Sequence, residues 1–169
     1  MATAALKELS LIAFRVGGET FVVDIMAVRQ IVPYRGTTSV PTAPEFVDGI
    51  VVIRNEVVPV IDLRRRFEVE AAAPEHPLIL IADTNAGAIG LKVDDVQTIV
   101  NVTADALLPP PEIVRGVRGE LLIAVIPQGA EVYLLIDIES VLTAEEQTVL
   151  QSAELSSSSA PPESGTSER

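Results

Sequence analysis

The segment Gly49-Ile-Val-Val-Ile-Arg-Asn-Glu-Val-Val-Pro-Val-Ile-Asp-Leu-Arg-Arg-Arg-Phe67 carries most of the information about the fold. Its first residues, Gly49 to Ile53, are nearly all apolar, which predicts a strand buried on both faces. Arg54-Asn55 predicts a tight turn, because Asn adopts positive φ more readily than most residues. The chain then returns as a second strand over residues 56–61. Pro59 has no N–H to donate, so we expect that strand at a sheet edge or beside a bulge.

Asp62 follows this strand and predicts the N-cap of a short helix that ends at Phe67. The same unit, an apolar strand followed by Asp and an apolar turn of helix, occurs three times. It is found in Phe21-Val-Val-Asp24-Ile25, in Pro59-Val-Ile-Asp62-Leu63 and in Leu134-Leu-Ile-Asp137-Ile138. After Asp24, the residues Ile25, Val28 and Ile31 have helical spacing, so we expect a helix there that Pro33 ends.

Short alternating runs separated by turn residues make up most of the remaining chain. Gly17-Gly18 predicts a two-residue hairpin turn between strands over 11–16 and 19–24, and Gln128-Gly129 predicts another between 121–126 and 131–136. Further strands are predicted over 78–82, 88–93 and 96–102. Many short strands of this kind predict a mainly all-β fold built from two small antiparallel barrels.

The order of these strands predicts a domain over residues 1–155 with two subdomains, the first over about 11–77 and the second over about 78–142. Thr143-Ala-Glu-Glu146 forms a weak capping box and predicts a C-terminal helix over about 143–155. Residues 156–169 are rich in Ser and Pro and lack apolar anchors, which predicts a disordered tail.

Composition excludes several classes of protein. The formal net charge is −12, which makes nucleic acid an unsuitable partner. The longest apolar run is far shorter than the roughly 20 residues that span a bilayer, so no direct membrane insertion is expected. The chain has no cysteine and its first residues do not resemble a secretory signal, so we expect a cytoplasmic protein.

The residues needed for catalysis are not grouped in any recognisable pattern. The single histidine, His76, lies in the linker between the two groups of strands, and we find no nucleophile elbow, phosphate loop or dinucleotide fingerprint. Asp94-Asp95 is interpreted as a turn, because adjacent side chains on a strand point in opposite directions. The sequence therefore predicts a protein that is not an enzyme and has no metal site or cofactor.

Four arginines, Arg54, Arg64, Arg65 and Arg66, lie within 13 residues of the chain. They are consistent with either a solvated basic turn or a docking surface for an acidic protein.

The segment 49–67 resembles the central motif of the CheW family of chemotaxis coupling proteins, in which Gly precedes Asn-Leu-Arg-Gly and then Pro-x-x-Asp-Leu-Arg. The resemblance extends over about residues 11–150, through Phe14-Arg-Val-Gly-Gly-Glu-Thr-Phe21, Asp24–Ile31, Val40–Gly49 and Leu91-Lys-Val-Asp94. Two positions differ from the family pattern. Val52-Ile53-Arg54-Asn55 stands where Asn-Leu-Arg-Gly is usual, and Gln30 stands where an acidic residue is common.

The resemblance implies a fold of two intertwined five-stranded SH3-like β-barrels with short helices. It implies an adaptor that binds the regulatory domain of the histidine kinase CheA on one surface. A second surface, a groove between the subdomains, is expected to bind the helical tip of a chemoreceptor, so that the protein is recruited to membrane-anchored receptor arrays. The residues expected at the receptor are Val28, Gln30, Ile31, Arg54 and Asn55, and those expected at the kinase are Gly49, Val51 and Val58.

Other functions remain open at this point. A related adaptor could serve a pathway for surface motility or development instead of flagellar chemotaxis. A detached regulatory domain of a CheA-type kinase would have similar sequence features. A small-molecule-binding barrel would need an apolar pocket ringed by polar groups, for which the sequence offers no cluster.

Overall fold

The computed structural model describes residues 7–70, 73–111 and 121–141. Ten strands make up most of these residues, together with one four-residue α-helix and three single turns of 3-10 helix. The predicted C-terminal helix over 143–155 and the tail over 156–169 lie outside the described residues. The strands and the helix are β1 (Glu8–Val16), β2 (Glu19–Asp24), β3 (Val28–Pro33), β4 (Val47–Ile53), β5 (Glu56–Asp62), α1 (Leu63–Arg66), β6 (Leu78–Thr84), β7 (Gly87–Val93), β8 (Asp95–Thr103), β9 (Leu122–Gln128) and β10 (Glu131–Ile136).

The strands form two five-stranded sheets with the same topology. Sheet 1 has the order β8-β1-β2-β10-β9, and sheet 2 has the order β3-β6-β7-β5-β4. In each sheet an antiparallel hairpin, β1–β2 or β6–β7, pairs in parallel with the second strand of another hairpin, β9–β10 or β4–β5. The prediction of a mainly β fold with two five-stranded units is confirmed.

The two sheets are intertwined along the chain. Sheet 1 takes β1 and β2 from the first half and β8 to β10 from the second, whereas sheet 2 takes β3 to β5 from the first half and β6 and β7 from the second. The predicted division between residues 77 and 78 therefore does not coincide with the two sheets. Proximity along the chain suggested that division, but the hydrogen bonds between β3 and β6 and between β1 and β8 join distant strands.

The edges of each sheet are joined by a single bridge in the described residues. Leu108, which follows edge strand β8, bridges Val125 on the opposite edge strand β9. Thr38, which follows edge strand β3, bridges Ile50 on the opposite edge strand β4. Each sheet therefore curves until its two edges approach, and the backbone of both edge strands is partly protected from unwanted pairing.

The apolar residues separate into three clusters. The central cluster lies between the sheets and contains Phe14, Phe21 and Phe67, whose rings stack at centroid distances of 6.0 Å and 4.7 Å. A second cluster fills the inner side of sheet 1 around Leu11 and Ile126, and a third fills the inner side of sheet 2 around Val58, Val60 and Ile81. Central strands are covered on both faces, which explains why they consist of nearly continuous apolar runs.

The local signals in the sequence are largely confirmed. Asp24, Asp62 and Asp137 each accept a hydrogen bond from the backbone N–H two residues later, at 2.9, 2.9 and 3.1 Å, as predicted for caps. Arg54 and Asn55 both have positive φ, of 51° and 68°, as the predicted tight turn requires. Pro59 is not on an edge strand, because β5 lies between β7 and β4, but its pairing with β7 begins only at Val60.

The predicted helix over residues 24–31 is wrong. Asp24 starts only a single turn of 3-10 helix, Ile25–Ala27, and Val28 then adopts extended φ and ψ of −94° and 124°. The chain continues as β3, whose β-branched residues suit a strand and whose backbone pairs with β6. The register shifts between Val28 and Gln30, so Val28 opposite Ala82 and Ile31 opposite Leu80 share one face of the sheet. This β-bulge reproduces the three-residue spacing that suggested a helix.

Candidate protein-binding site

Three of the four clustered arginines satisfy groups within the fold. Arg64 donates through Nε and Nη2 to the two carboxylate oxygens of Asp94, both at 2.7 Å, and the side chains of this pair are only 15% and 13% exposed. Arg66 is 9% exposed and stacks its guanidinium 4.3 Å from the ring centroid of Phe46. Helix α1 therefore does not present a continuous basic surface, because its arginines stabilise the fold.

The Arg64–Asp94 pair also connects the two sheets. The N–H of Gly17, at the β1–β2 turn of sheet 1, donates to Oδ2 of Asp94 at 2.8 Å. Asp94 itself follows β7 of sheet 2 and precedes β8 of sheet 1. Hydrogen bonding to a paired guanidinium raises the pKa of Arg64 above its ordinary value. Asp94 is thus a turn residue as predicted, and in addition it locks the orientation of the sheets.

A second, largely buried set of charges lies behind β4. Asp48 and Asp62 have side chains that are each 8% exposed, and Lys92 Nζ lies 3.7 Å and 3.8 Å from them. Arg65 lies 3.5 Å from the Asp62 carboxylate and donates to the carbonyl of Glu45. These contacts hold α1 and β7 against the start of β4.

Tyr34 and Thr37 connect this set of charges to the loop after β3. Tyr34 Oη donates to Asp48 Oδ2 at 2.6 Å and Thr37 Oγ1 donates to the same oxygen at 2.7 Å. Burial tends to raise the pKa of Asp48, but these two hydrogen bonds and the charges of Lys92 and Arg65 outweigh burial and lower it. The loop is therefore held on β4 by an ionised carboxylate.

The residues predicted to contact a receptor come together at one end of sheet 2. Val28, Gln30 and Ile31 lie on edge strand β3, with Ile31 40% exposed and Val28 and Gln30 half-buried. Arg54 and Asn55 form the exposed turn of the β4–β5 hairpin.

Arg29 joins these two elements through ion pairs. Its Nη1 donates to Glu56 Oε1 at 2.7 Å, immediately after the Arg54-Asn55 turn, and its Nη2 pairs with Asp83 on β6. Hydrogen bonds from Glu56 and Asp83 raise the pKa of Arg29, which stays charged. Sequence reasoning missed Arg29, because nothing in its local pattern shows which carboxylates the curved sheet brings beside it.

The residues predicted to contact a kinase are turned inward. Val58 is fully buried in the inner cluster of sheet 2, and Val51, opposite it in the β4–β5 register, packs on the same cluster. Gly49 is buried, and its close approach is to the chain itself: a Cβ there would lie 2.5 Å from Thr37 Oγ1 and from the Thr38 carbonyl oxygen. None of these three side chains lies on an open surface.

The outward face of the same hairpin carries a different apolar pair. Val52 is 64% exposed and lies opposite the half-buried Val57. This pair was recoverable from the alternation of β4, since Val52 has the opposite parity from Gly49 and Val51. The sequence analysis did not separate the two faces because every residue from Ile50 to Ile53 is apolar.

An apolar groove of about 280 Å³ lies where the two sheets meet, beside the start of β3. Its lining includes Leu9 and Leu11 of β1, Ile123 of β9 and Ile138 after β10, together with Ala27 and Asp83 from the side of sheet 2. Asp83 pairs with Arg29, so the groove is continuous with the β3 and Arg54-Asn55 surface.

The described residues contain no group of three or more His, Asp or Glu side chains arranged to hold a metal ion. His76 lies in the linker with a side chain that is 94% exposed. Within the same part of the chain, no helix is long and apolar enough to cross a membrane.

Comparison with known proteins identifies the family. The model of the CheW-like domain matches residues 10–146. The chemotaxis protein CheW of Rhizobium meliloti (strain 1021) is 34% identical over 138 residues, which cover 81% of this chain and 89% of that protein. CheW of Klebsiella aerogenes is 29% identical over 138 residues, covering 81% and 83% of the two chains.

The crystal structure of the scaffolding protein TtCheW from Thermoanaerobacter tengcongensis has the same fold. It superimposes with a TM-score of 0.75 at 23% identity, and the match covers 83% of this chain and 96% of that one. Two sheets of this topology and a family match over most of the length agree with the resemblance of the segment 49–67. The chain therefore belongs to the CheW family of non-catalytic chemotaxis scaffold proteins.

Proposed function

We propose that this protein couples chemoreceptors to the histidine kinase CheA as a cytoplasmic adaptor recruited to membrane-anchored receptor arrays. The observation that carries the proposal is the arrangement of sheet 2. The predicted receptor residues lie on edge strand β3 and at the tip of the β4–β5 hairpin, while an outward apolar face lies on the opposite edge strand β4. One rigid sheet can thus engage two partners together, and simultaneous engagement strengthens weak individual contacts.

On the receptor surface, Arg54 is the central residue of the proposal. Its position in a positive-φ turn directs the chain away from the sheet, and the residue is exposed. A guanidinium can hydrogen-bond a carboxylate or a backbone carbonyl of a helical hairpin while its aliphatic part covers an apolar ridge. Ile31 supplies an exposed apolar side chain on the neighbouring strand, and Arg29 holds the turn beside that strand through Glu56.

On the kinase surface, the geometry favours Val52 and Val57 as the direct apolar contacts. Gly49, Val51 and Val58 then have an indirect part, because they shape β4 and β5 from the inner side of the sheet. The regulatory domain of CheA, which the family resemblance gives as the partner, can bury an exposed pair of this kind at the centre of a small interface.

The experiment separates the two surfaces with one variant on each. We expect Arg54→Ala to fold, to bind CheA normally and to abolish receptor-stimulated kinase activity, because one interface arginine contributes about 1–4 kcal/mol when it is a hot spot. Arg54→Lys should restore little, since the planar fork is lost. Val52→Asp should weaken CheA binding and leave receptor binding intact.

Matched controls are available on the same molecule. Arg35→Ala removes another exposed arginine from the loop after β3, and Val132→Asp places the same charge on an exposed valine of sheet 1. Neither control should change coupling. Normal receptor stimulation with Arg54→Ala would remove Arg54 from the surface, and loss of both activities would indicate a folding defect.

A further inference from the structure

The groove between the sheets combines an apolar floor with an acidic rim. Its floor is made by residues such as Leu11, Leu135 and Ile138, which are buried, and Ile123, which is 50% exposed at a register shift between β9 and β10. Met26, 86% exposed, stands next in sequence to Ala27 in the lining. Its unbranched side chain can adapt to the shape of a partner.

Four carboxylates surround this floor, from Asp24, Asp83, Asp137 and Glu139, and no Lys or Arg is among the described residues that line it. Asp24 and Asp137 each accept backbone N–H bonds as caps, and Glu139 accepts the N–H of Asn85 at 3.1 Å. Neutral donors of this kind hold the carboxylates in place and leave their negative charge at the rim. Asp83 is paired with Arg29.

The charge extends beyond the rim to the whole of sheet 1. The described ranges 7–24, 95–111 and 121–141, which contain its strands, have eight Asp and Glu but only two basic residues, Lys7 and Arg15. Sheet 2 and its loops, over 25–70 and 73–94, are nearly balanced, with nine acidic and seven basic residues. A partner that approaches the groove over sheet 1 therefore meets a negative field.

We infer that the groove receives an α-helix whose apolar ridge is flanked by Lys or Arg. A helix satisfies its own backbone hydrogen bonds, so it can seat apolar side chains against a floor that offers few polar partners. Basic side chains beside the ridge meet Asp24, Asp137 and Glu139. The remaining C-terminal part of this chain, residues 142–169, is an unsuitable occupant, because it carries five Glu and a single Arg.

The inference rests on the proposed function, since the helical tip of a chemoreceptor is the partner expected at this end of the molecule. It adds the chemistry that the tip must present. Its basic flank lies toward sheet 1, and its acceptors for Arg54 lie toward the β4–β5 turn. The groove is connected to that turn through Asp83, Arg29 and Glu56, so the two opposite charges orient the helix across the junction of the sheets.

Isosteric amides test the inference without breaking the fold. The triple variant Asp24→Asn, Asp137→Asn, Glu139→Gln keeps an oxygen acceptor at every rim position, and Asn caps helices about as well as Asp. The control variant Glu75→Gln, Asp95→Asn, Glu131→Gln removes three charges from exposed positions outside the groove. Thermal unfolding should show both variants close to the unaltered protein.

The probes are two synthetic amphipathic helices with the same Leu and Ile ridge, one flanked by Lys and the other by Glu. Titration into the isotope-labelled protein should perturb the amides of Leu9, Ala27, Ile123 and Ile138 with the Lys helix and much less with the Glu helix. The triple variant should bind the Lys helix about tenfold more weakly, as expected for three partly screened ion pairs. Equal binding of both helices, or perturbations centred on Val52 or Val132, would overturn the inference.

Receptor-stimulated CheA activity, measured beside the titration, distinguishes this inference from the adaptor role. We expect the triple variant to lose stimulation and the control variant to keep it. Normal stimulation by the triple variant overturns the basic-helix inference and leaves the adaptor role intact. No stimulation by the unaltered protein, with a receptor and kinase from the same cell, overturns the adaptor role itself.

Discussion

Replacement of Gly49 by alanine tests how closely the loop after β3 packs on β4. Gly49 has φ of +153°, which side-chain-bearing residues rarely adopt, and its missing Cβ would lie 2.5 Å from two oxygen atoms and 2.8 Å from the Thr37 Cβ. Those atoms belong to the segment that bridges to Ile50 and donates to Asp48. The loop cannot withdraw without breaking that bridge and the hydrogen bond to a buried carboxylate.

The expected cost follows from two separate terms. Backbone strain at such a φ costs about 1–3 kcal/mol, and overpacking by one methyl group costs about 1–3 kcal/mol more. Gly87 has φ of +119° with nothing within 4 Å of an added Cβ, so Gly87→Ala has the strain alone. Gly49→Ala should therefore be less stable than Gly87→Ala by about 2 kcal/mol, which corresponds to about 4–8 °C in Tm for a domain of this size.

Urea and thermal unfolding of the three proteins measure this difference, with Gly18→Ala as a third variant. Gly18 has neither positive φ nor a neighbour within 4 Å, so its replacement should change the free energy of unfolding by less than about 0.5 kcal/mol. CheA binding at a temperature where Gly49→Ala is folded should be nearly normal if Gly49 acts through the fold. Equal stability of Gly49→Ala and Gly87→Ala would refute the close packing, and lost CheA binding by a fully stable Gly49→Ala would place the residue at the interface.

Three further predictions concern the charges and the core. Asp94→Ala should lower the free energy of unfolding by about 2–3 kcal/mol, because it leaves the mostly buried guanidinium of Arg64 without its bidentate acceptor; a loss below 0.5 kcal/mol in urea unfolding, within the range of about 0.5 kcal/mol for surface changes, would contradict the lock between the sheets. Because its folded pKa is lowered, the Asp48 carboxylate stabilises the protein above the unfolded pKa of about 3.9 and loses that effect as the pH falls through the folded pKa. The stability advantage over Asp48→Asn should be constant from neutral pH to about 4 and shrink below it, and an advantage that shrinks already at neutral pH would point to another group. Val58→Ala should destabilise by about 2 kcal/mol through a core cavity, while Val52→Ala should cost less than about 0.5 kcal/mol; equal costs in thermal unfolding would contradict the assignment of the two faces.

The sequence by itself determined the strands, the turns and the caps. Each of these depends on a few neighbouring residues: Asn55 accepts positive φ, Gly17-Gly18 permits a two-residue turn, and the aspartates at 24, 62 and 137 have a backbone N–H within reach two residues later. The resemblance of residues 49–67 to a known motif also predicted the family and the pairing of two five-stranded units correctly.

Only the tertiary structure decided which strands share a sheet and which residues remain at the surface. Val28 and Ile31 fit a helical spacing equally well until pairing with β6 and a bulge make them a strand. Arg64 and Arg66 are indistinguishable from surface arginines until β7 and the loop before β4 bring Asp94 and Phe46 against them. Val52 and Val58 are alike in sequence, yet one is exposed and the other is buried, because the curvature of sheet 2 encloses one face of the hairpin. These outcomes depend on contacts between residues far apart in the chain, which local patterns do not specify.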